Sequence, residues 1–168
     1  MRIRGSFWCD DGWKFERVIT IAMSIAVGAG RDRVWRALTV PDELIRWDDK
    51  ILSLLDPPDG YPRVGQQIRW RYRVGAIPVM LRNSAIEVIP NERLRTVTAM
   101  GLFRFDETFT LGNEGNDLHR TRLQLKLSAA NSLAVVGGLL DRFTIRRVGS
   151  ELVDRKLHCI QKWCENHP

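Results

Sequence analysis

Cysteine is scarce, and nothing in its placement suggests a stapled or metal-built domain. The three cysteines, Cys9, Cys159 and Cys164, form an odd set without a scaffold spacing, so no disulfide framework is expected and the thiols read as reduced. His158, Cys159, Cys164 and His167 gather near the C-terminus, but positions 159 and 164 diverge around a helix, which argues against a metal site there. Long apolar runs are missing as well. The longest, Ser132 to Leu140, is broken by Gly137 and Gly138 and falls well short of the roughly 20 residues that cross a bilayer, so no integral membrane segment is expected. Asp10, Asp11 and Lys14 precede any continuous apolar stretch, unlike a secretory signal, and the expectation is a cytoplasmic protein.

Catalytic motifs are absent too. No Ser-His-Asp triad, phosphate loop or metal-ligand spacing is visible. Gly28-Ala29-Gly30 stands between a strand and a helix, as in a dinucleotide-binding turn, but Arg33 occupies the place of the third glycine and no second parallel βα unit follows. The glycines read as a tight turn, and no cofactor is expected.

What remains is an ordinary globular composition. Apolar residues make up 44% and charged residues 27% of the 168, which fits one domain with a sizeable core. Residues 1–15, with Trp8 and Trp13 but no sustained period, read as an N-terminal extension, and 16–168 as the single domain. Val18 to Val27 is a good strand with Ile21, Met23, Ile25 and Val27 on one face. Two short helices follow, Arg31 to Thr39 and then Pro41 to Trp47, where Pro41 suits the first turn because its missing N–H would have no partner there.

After the turn cluster Asp56-Pro57-Pro58-Asp59-Gly60 the chain reads as strands. Gln67 to Val74 alternates, with Ile68, Trp70, Tyr72 and Val74 on one face and Arg69, Arg71 and Arg73 on the other, the signature of an antiparallel strand with one dry side. Further strands are expected over Val79–Ile89, Leu94–Met100, Phe103–Leu111 and His119–Leu127, with a last turn at Gly112 to Asn116. Asn131 or Ser132 can cap a closing helical region that reaches Cys164, with an apolar side of Phe143, Val148, Leu152, Leu157, Ile160 and Trp163 and a kink where Gly137-Gly138 falls. Thirty helical residues would span about 45 Å.

The expected architecture is α+β, with a curved antiparallel sheet of about seven strands around one long C-terminal helix. One helix cannot fill a wide concave sheet, so an apolar pocket should remain between them.

The residues that carry a family likeness are Ala29-Gly30-Arg31-Asp32-Arg33-Val34-Trp35-Arg36-Ala37-Leu38-Thr39 with Pro41 and Trp47, then Ile86 to Leu94, then Phe109-Thr110-Leu111 through Gly115 to Thr121-Arg122-Leu123. In this order they resemble the START and birch-pollen-allergen superfamily over residues 18–165. The resemblance implies the helix-grip fold. Its members include polyketide cyclases and dehydratases, carriers of lipids and other hydrophobic ligands, and homologues of the heat-shock ATPase activator.

Strand alternation turns Trp70, Tyr72, Phe103, Phe105, Glu107 and Phe109 toward the pocket. Glu107 is the one carboxylate among these aromatics, where burial would raise its pKa and suit it to general acid or base work. The plainer alternatives are that a bulge turns it to solvent or that it pairs with an arginine such as Arg82. Arg82, read in phase with Met80, Ser84, Ile86 and Val88, would face inward and anchor a ligand oxygen. An enzyme would therefore rest on Glu107, Tyr72 and Arg82. Thr96 and Thr98 offer hydroxyls, Trp47 and Tyr72 could stack on a ring, and Phe143 adds apolar wall from the helix.

The net charge of +6 does not by itself choose a partner. Arg69, Arg71, Arg73, Arg122 and Lys126 lie on faces opposite the aromatics, whereas a nucleic-acid surface would interleave the two, so no nucleic acid is expected. The first functional expectation is a binding or carrier protein for a hydrophobic small molecule. An aromatic cyclase or dehydratase working by acid–base catalysis is the second, and a protein-interaction module with a filled core is the third. A homodimer stays open.

Overall fold

The computed structural model describes residues 19–55, 60–101, 103–115, 117–129 and 142–167. The expected extension 1–15, most of the turn 56–60, the Asn131 or Ser132 cap and the Gly137-Gly138 kink lie outside the described residues. In chain order the elements are β1 (Ile19–Val27), α1 (Arg31–Thr39), α2 (Pro41–Trp47), β2 (Ile51–Leu54), β3 (Gln67–Val74), β4 (Ile77–Ile89), β5 (Arg93–Met100), β6 (Phe103–Glu114), β7 (Asp117–Ala129) and α3 (Arg142–Asn166).

The strands form one seven-stranded antiparallel sheet in the order β1-β7-β6-β5-β4-β3-β2. Strands β2 to β7 are therefore a meander, and β1 closes beside β7. This is the α+β helix-grip architecture that the sequence implies.

Alternation makes the strands. In β3, Ile68 and Trp70 are buried while Arg69, Arg71 and Arg73 are exposed; in β7, Leu123, Leu125 and Leu127 are buried between exposed Arg122, Gln124 and Lys126. Each pattern gives one face to the interior and the other to water. Strand β6 runs on through the expected last turn as far as Glu114, which leaves the turn to Gly115 at a φ of 62° that glycine adopts without penalty.

Strand β4 departs from the expected phase. Ala85 pairs with Thr96 and Glu87 with Arg95, so Ile86 is an extra, outward residue in a bulge. Val88 packs toward the core as expected, but on the near side of the bulge the inward residues are Leu81, Asn83 and Ala85. Met80 and Arg82 face outward and are exposed, which corrects the inward placement of Arg82.

The described helix α3 has 25 residues, a length of about 37 Å. Its inner face carries Val153, Leu157, Ile160 and Cys164, all buried. It packs mainly on β1 and, less closely, on β7. A Cβ at Gly149 would overlap the Cδ1 of Ile21 on β1, so a larger residue there would require the end of that side chain to shift. The far end is clamped: Gln161 Nε2 donates to the Ala26 carbonyl at 2.9 Å, and Glu165 Oε1 accepts from the Gly28 N–H at 2.8 Å. With the rod packed mainly on β1, its Leu152, Arg155 and Lys156 border the concave side of β3 to β6, and among the described residues part of that side is left uncovered.

Candidate functional site

That uncovered region is a cavity of about 710 Å³. Its walls are apolar and aromatic: Trp47 from α2, Trp70 from β3, Leu81 from β4, Phe103, Phe105 and Phe109 from β6, Leu127 from β7 and Leu152 from α3. Among the described lining residues, Arg73, Val74 and Gly75 at the β3–β4 turn and Val148 and Glu151 on α3 are exposed, which places the mouth between that turn and the helix.

A polar strip crosses this wall. Tyr61 Oη donates to Asn83 Oδ1 at 3.3 Å, and Asn83 Nδ2 donates to Thr98 Oγ1 at 2.9 Å and to Thr96 Oγ1 at 3.1 Å. Thr98 Oγ1 makes a long 3.4 Å bond to Glu107 Oε2, while Lys156 Nζ on α3 donates to Glu107 Oε1 at 2.6 Å. The strip exists because Asn83 lies opposite Thr98, and Thr96 opposite Glu107, on adjacent strands. Glu107 is only 8% exposed, so its charge is compensated inside the protein by Lys156.

A second cluster lies on the α3 side of the cavity. Arg155 reaches Asp48 Oδ1 at 3.3 Å, Asp49 Oδ1 at 2.8 Å and the Tyr72 hydroxyl at 3.2 Å. Asp48 is buried at the end of α2, so this arginine ties the helix to the α2–β2 corner.

Burial and neighbouring charges shift several of these groups. Burial pulls the Lys156 ammonium down, but the charges of Glu107 and Asp48 outweigh it and its pKa is raised. Burial, with the Glu107 charge as a smaller contribution, pushes the Tyr61 phenol well above the usual range. Tyr72 is also raised, by burial first and the Asp48 charge second. Burial pushes the Cys164 thiol up to about 11, which makes it a poor nucleophile at neutral pH.

Of the residues singled out from sequence, Trp47, Trp70, Tyr72, Thr96, Thr98, Phe103, Phe105, Glu107 and Phe109 all line this one cavity. Arg82 does not: it borders a shallow recess on the outer face with Met80, Ala99 and Gly101. Phe143 belongs to α3, but its side chain is outside the described residues. Glu107 is paired with Lys156 rather than Arg82 and is buried rather than turned to solvent, and its surroundings are polar on one side.

Sequence reasoning missed Lys156, Asn83, Tyr61, Arg155 and Asp48. For Lys156 a signal existed. It stands four residues after Leu152 and eight after Val148, on the same helical stripe, where a lysine needs an explanation.

No family model matches this chain, and no curated protein matches it in sequence. Solved structures do match in shape. A START superfamily protein from Mycobacterium smegmatis is similar with a TM-score of 0.72 at 13% identity, the likeness covering 89% of this chain and 99% of that one. A Thermus thermophilus protein gives 0.67 at 22% identity over 88% and 98% of the two chains. A norcoclaurine synthase point mutant from Thalictrum, in complex with a transition-state analogue, gives 0.63 at 15% identity over 89% and 96%. The chain thus has the helix-grip fold of START and birch-pollen-allergen proteins, as its sequence motifs imply.

Proposed function

We propose that the protein binds and carries a hydrophobic small molecule, lipid or polyketide-like, within its internal cavity in the cytoplasm. One observation carries the reading: about 710 Å³ of space walled by aromatic and aliphatic side chains lies inside the fold. That volume is in the range of about 300–1,000 Å³ typical of small-molecule sites. The same observation opposes the interaction-module reading, which requires a filled core. The outward arginines stay separated from the aromatics, which keeps nucleic acid out of the reading. Native mass spectrometry of protein purified from its own source tests the proposal. A retained small molecule is the expected result, and a consistently empty protein would overturn it.

A second reading has its own support. An acidic and a basic group, Glu107 and Lys156, meet at 2.6 Å inside the cavity, an arrangement able to move a proton on a bound polyketide-like substrate. Under this aromatic cyclase or dehydratase reading, Glu107→Gln abolishes turnover of a candidate substrate while the variant still binds it. Unchanged turnover would remove the enzyme reading and leave the carrier standing.

A further inference from the structure

We infer that the ligand of this cavity carries a neutral acceptor oxygen, a ketone or ester carbonyl, seated against the ammonium of Lys156 and the hydroxyl of Tyr72. The inference rests on reading the cavity as a site for a hydrophobic molecule, and it adds the chemistry of that molecule's polar end.

The argument begins with unspent donors. An ammonium has three N–H bonds. One from Lys156 goes to Glu107, and among the described residues no second partner of that nitrogen is found. Tyr72 accepts from Arg155, and no acceptor for its own proton is found among the described residues. Both side chains line the cavity, so donor capacity faces a space that is otherwise largely apolar. The Tyr61, Asn83 and Thr98 chain approaches Glu107 from the other carboxylate oxygen. It fixes the carboxylate and so fixes where Lys156 sits.

Charge then selects the acceptor. The two cations at this seat each have an anion, Glu107 for Lys156 and Asp48 with Asp49 for Arg155, while Arg73 and the neighbouring Lys50 also line the cavity, toward its mouth. A ligand carboxylate would bring its own charge beside those of Glu107 and Asp48, where both repulsion and lost hydration oppose it. A carbonyl takes the hydrogen bonds without adding a charge. The hydrocarbon remainder lies against Trp70, Leu81, Phe105 and Phe109.

Calorimetric titration with three tetracyclic probes of matched size tests this: 1-ethylpyrene, 1-acetylpyrene and pyrene-1-carboxylate. The ketone is expected to bind about tenfold more tightly than the ethyl compound, the value of one hydrogen bond from a charged donor. The carboxylate is expected to bind no better than the ketone. The advantage of the ketone should vanish in the double variant Lys156→Met/Glu107→Gln, which leaves no unpaired charge behind, and shrink in Tyr72→Phe. Circular dichroism verifies that both variants fold. Equal binding of ketone and ethyl compound, or an undiminished preference in the double variant, overturns the inference and leaves the carrier reading intact. A carboxylate tighter than the ketone by tenfold overturns the neutral class. Failure of all three probes to bind the wild type counts against the carrier reading itself.

Discussion

Lys156 and Glu107 form the pair on which the interior depends most. A buried charge that loses its partner costs far more than the pair contributes when intact, because the survivor keeps its desolvation penalty. Lys156→Met should therefore destabilise the fold by about 3 kcal/mol, whereas adding Glu107→Gln should recover a large part of that loss. Denaturant unfolding of the four members of the cycle measures it, and additive effects would show that the two groups do not interact. The sign of the pH dependence follows from the raised pKa of Lys156. Its contribution is complete below the ordinary lysine value of 10.5 and is lost only as pH rises above it. At this scale the sequence was partly legible. Period two turned Trp70, Tyr72, Phe103, Phe105 and Phe109 toward the space they line, since each strand has one dry face, while Glu107 stayed open between that space, solvent and an arginine. It failed at Arg82 because the phase was carried backward from Val88 across Ile86, and a bulge leaves no mark in hydrophobic periodicity. Tyr61 was invisible for a related reason, as it sits in a loop with no period to place it.

Elements were more legible than the contacts between them. The boundaries of α1 and α2 follow from a glycine before Arg31 and a proline at position 41, and both are local signals. What holds those helices to α3 is not local. Glu43 on α2 accepts from Arg33 Nη1 of α1 at 2.6 Å and from Trp163 Nε1 of α3 at 3.0 Å, with Arg36 at 3.3 Å. No spacing rule links positions 33, 43 and 163, so the junction could not be read beforehand. Burial raises the Glu43 pKa, but the hydrogen bonds from Trp163 and Arg33 and the arginine charges outweigh it, and the carboxyl is held below 4.5. A depressed carboxyl stabilises the fold above its unfolded value and stops doing so as pH falls through the folded one. Glu43→Gln should then cost about 1 kcal/mol at neutral pH, a modest figure because water screens the outer part of the cluster. The difference from wild type should close below pH 4.5, and thermal unfolding across that range checks it. A deficit that persists unchanged at low pH would assign the loss to shape rather than charge.

At the scale of the molecule, the cavity follows from the position of the rod. Helix α3 packs mainly on β1 and is clamped at its far end by Gln161 and Glu165, so its Leu152, Arg155 and Lys156 border the space over β3 to β6 rather than filling it. The number of strands and the single closing helix were enough to expect unfilled volume, but not to say on which side it would lie. An interior of this kind should respond to enlargement differently from a packed core. In a packed core, extra side-chain volume forces off-rotamer strain and costs about 1–3 kcal/mol. Leu81 points from the middle of β4 into the cavity, so Leu81→Trp has somewhere to put its indole. The variant should lose less than about 1 kcal/mol of stability, while its affinity for 1-acetylpyrene falls at least tenfold because the indole and the probe compete for one space. Unfolding and titration on the same sample separate the outcomes. A large loss of stability would mean that the wall around Leu81 is packed solid, and unchanged affinity would mean that the probe binds elsewhere.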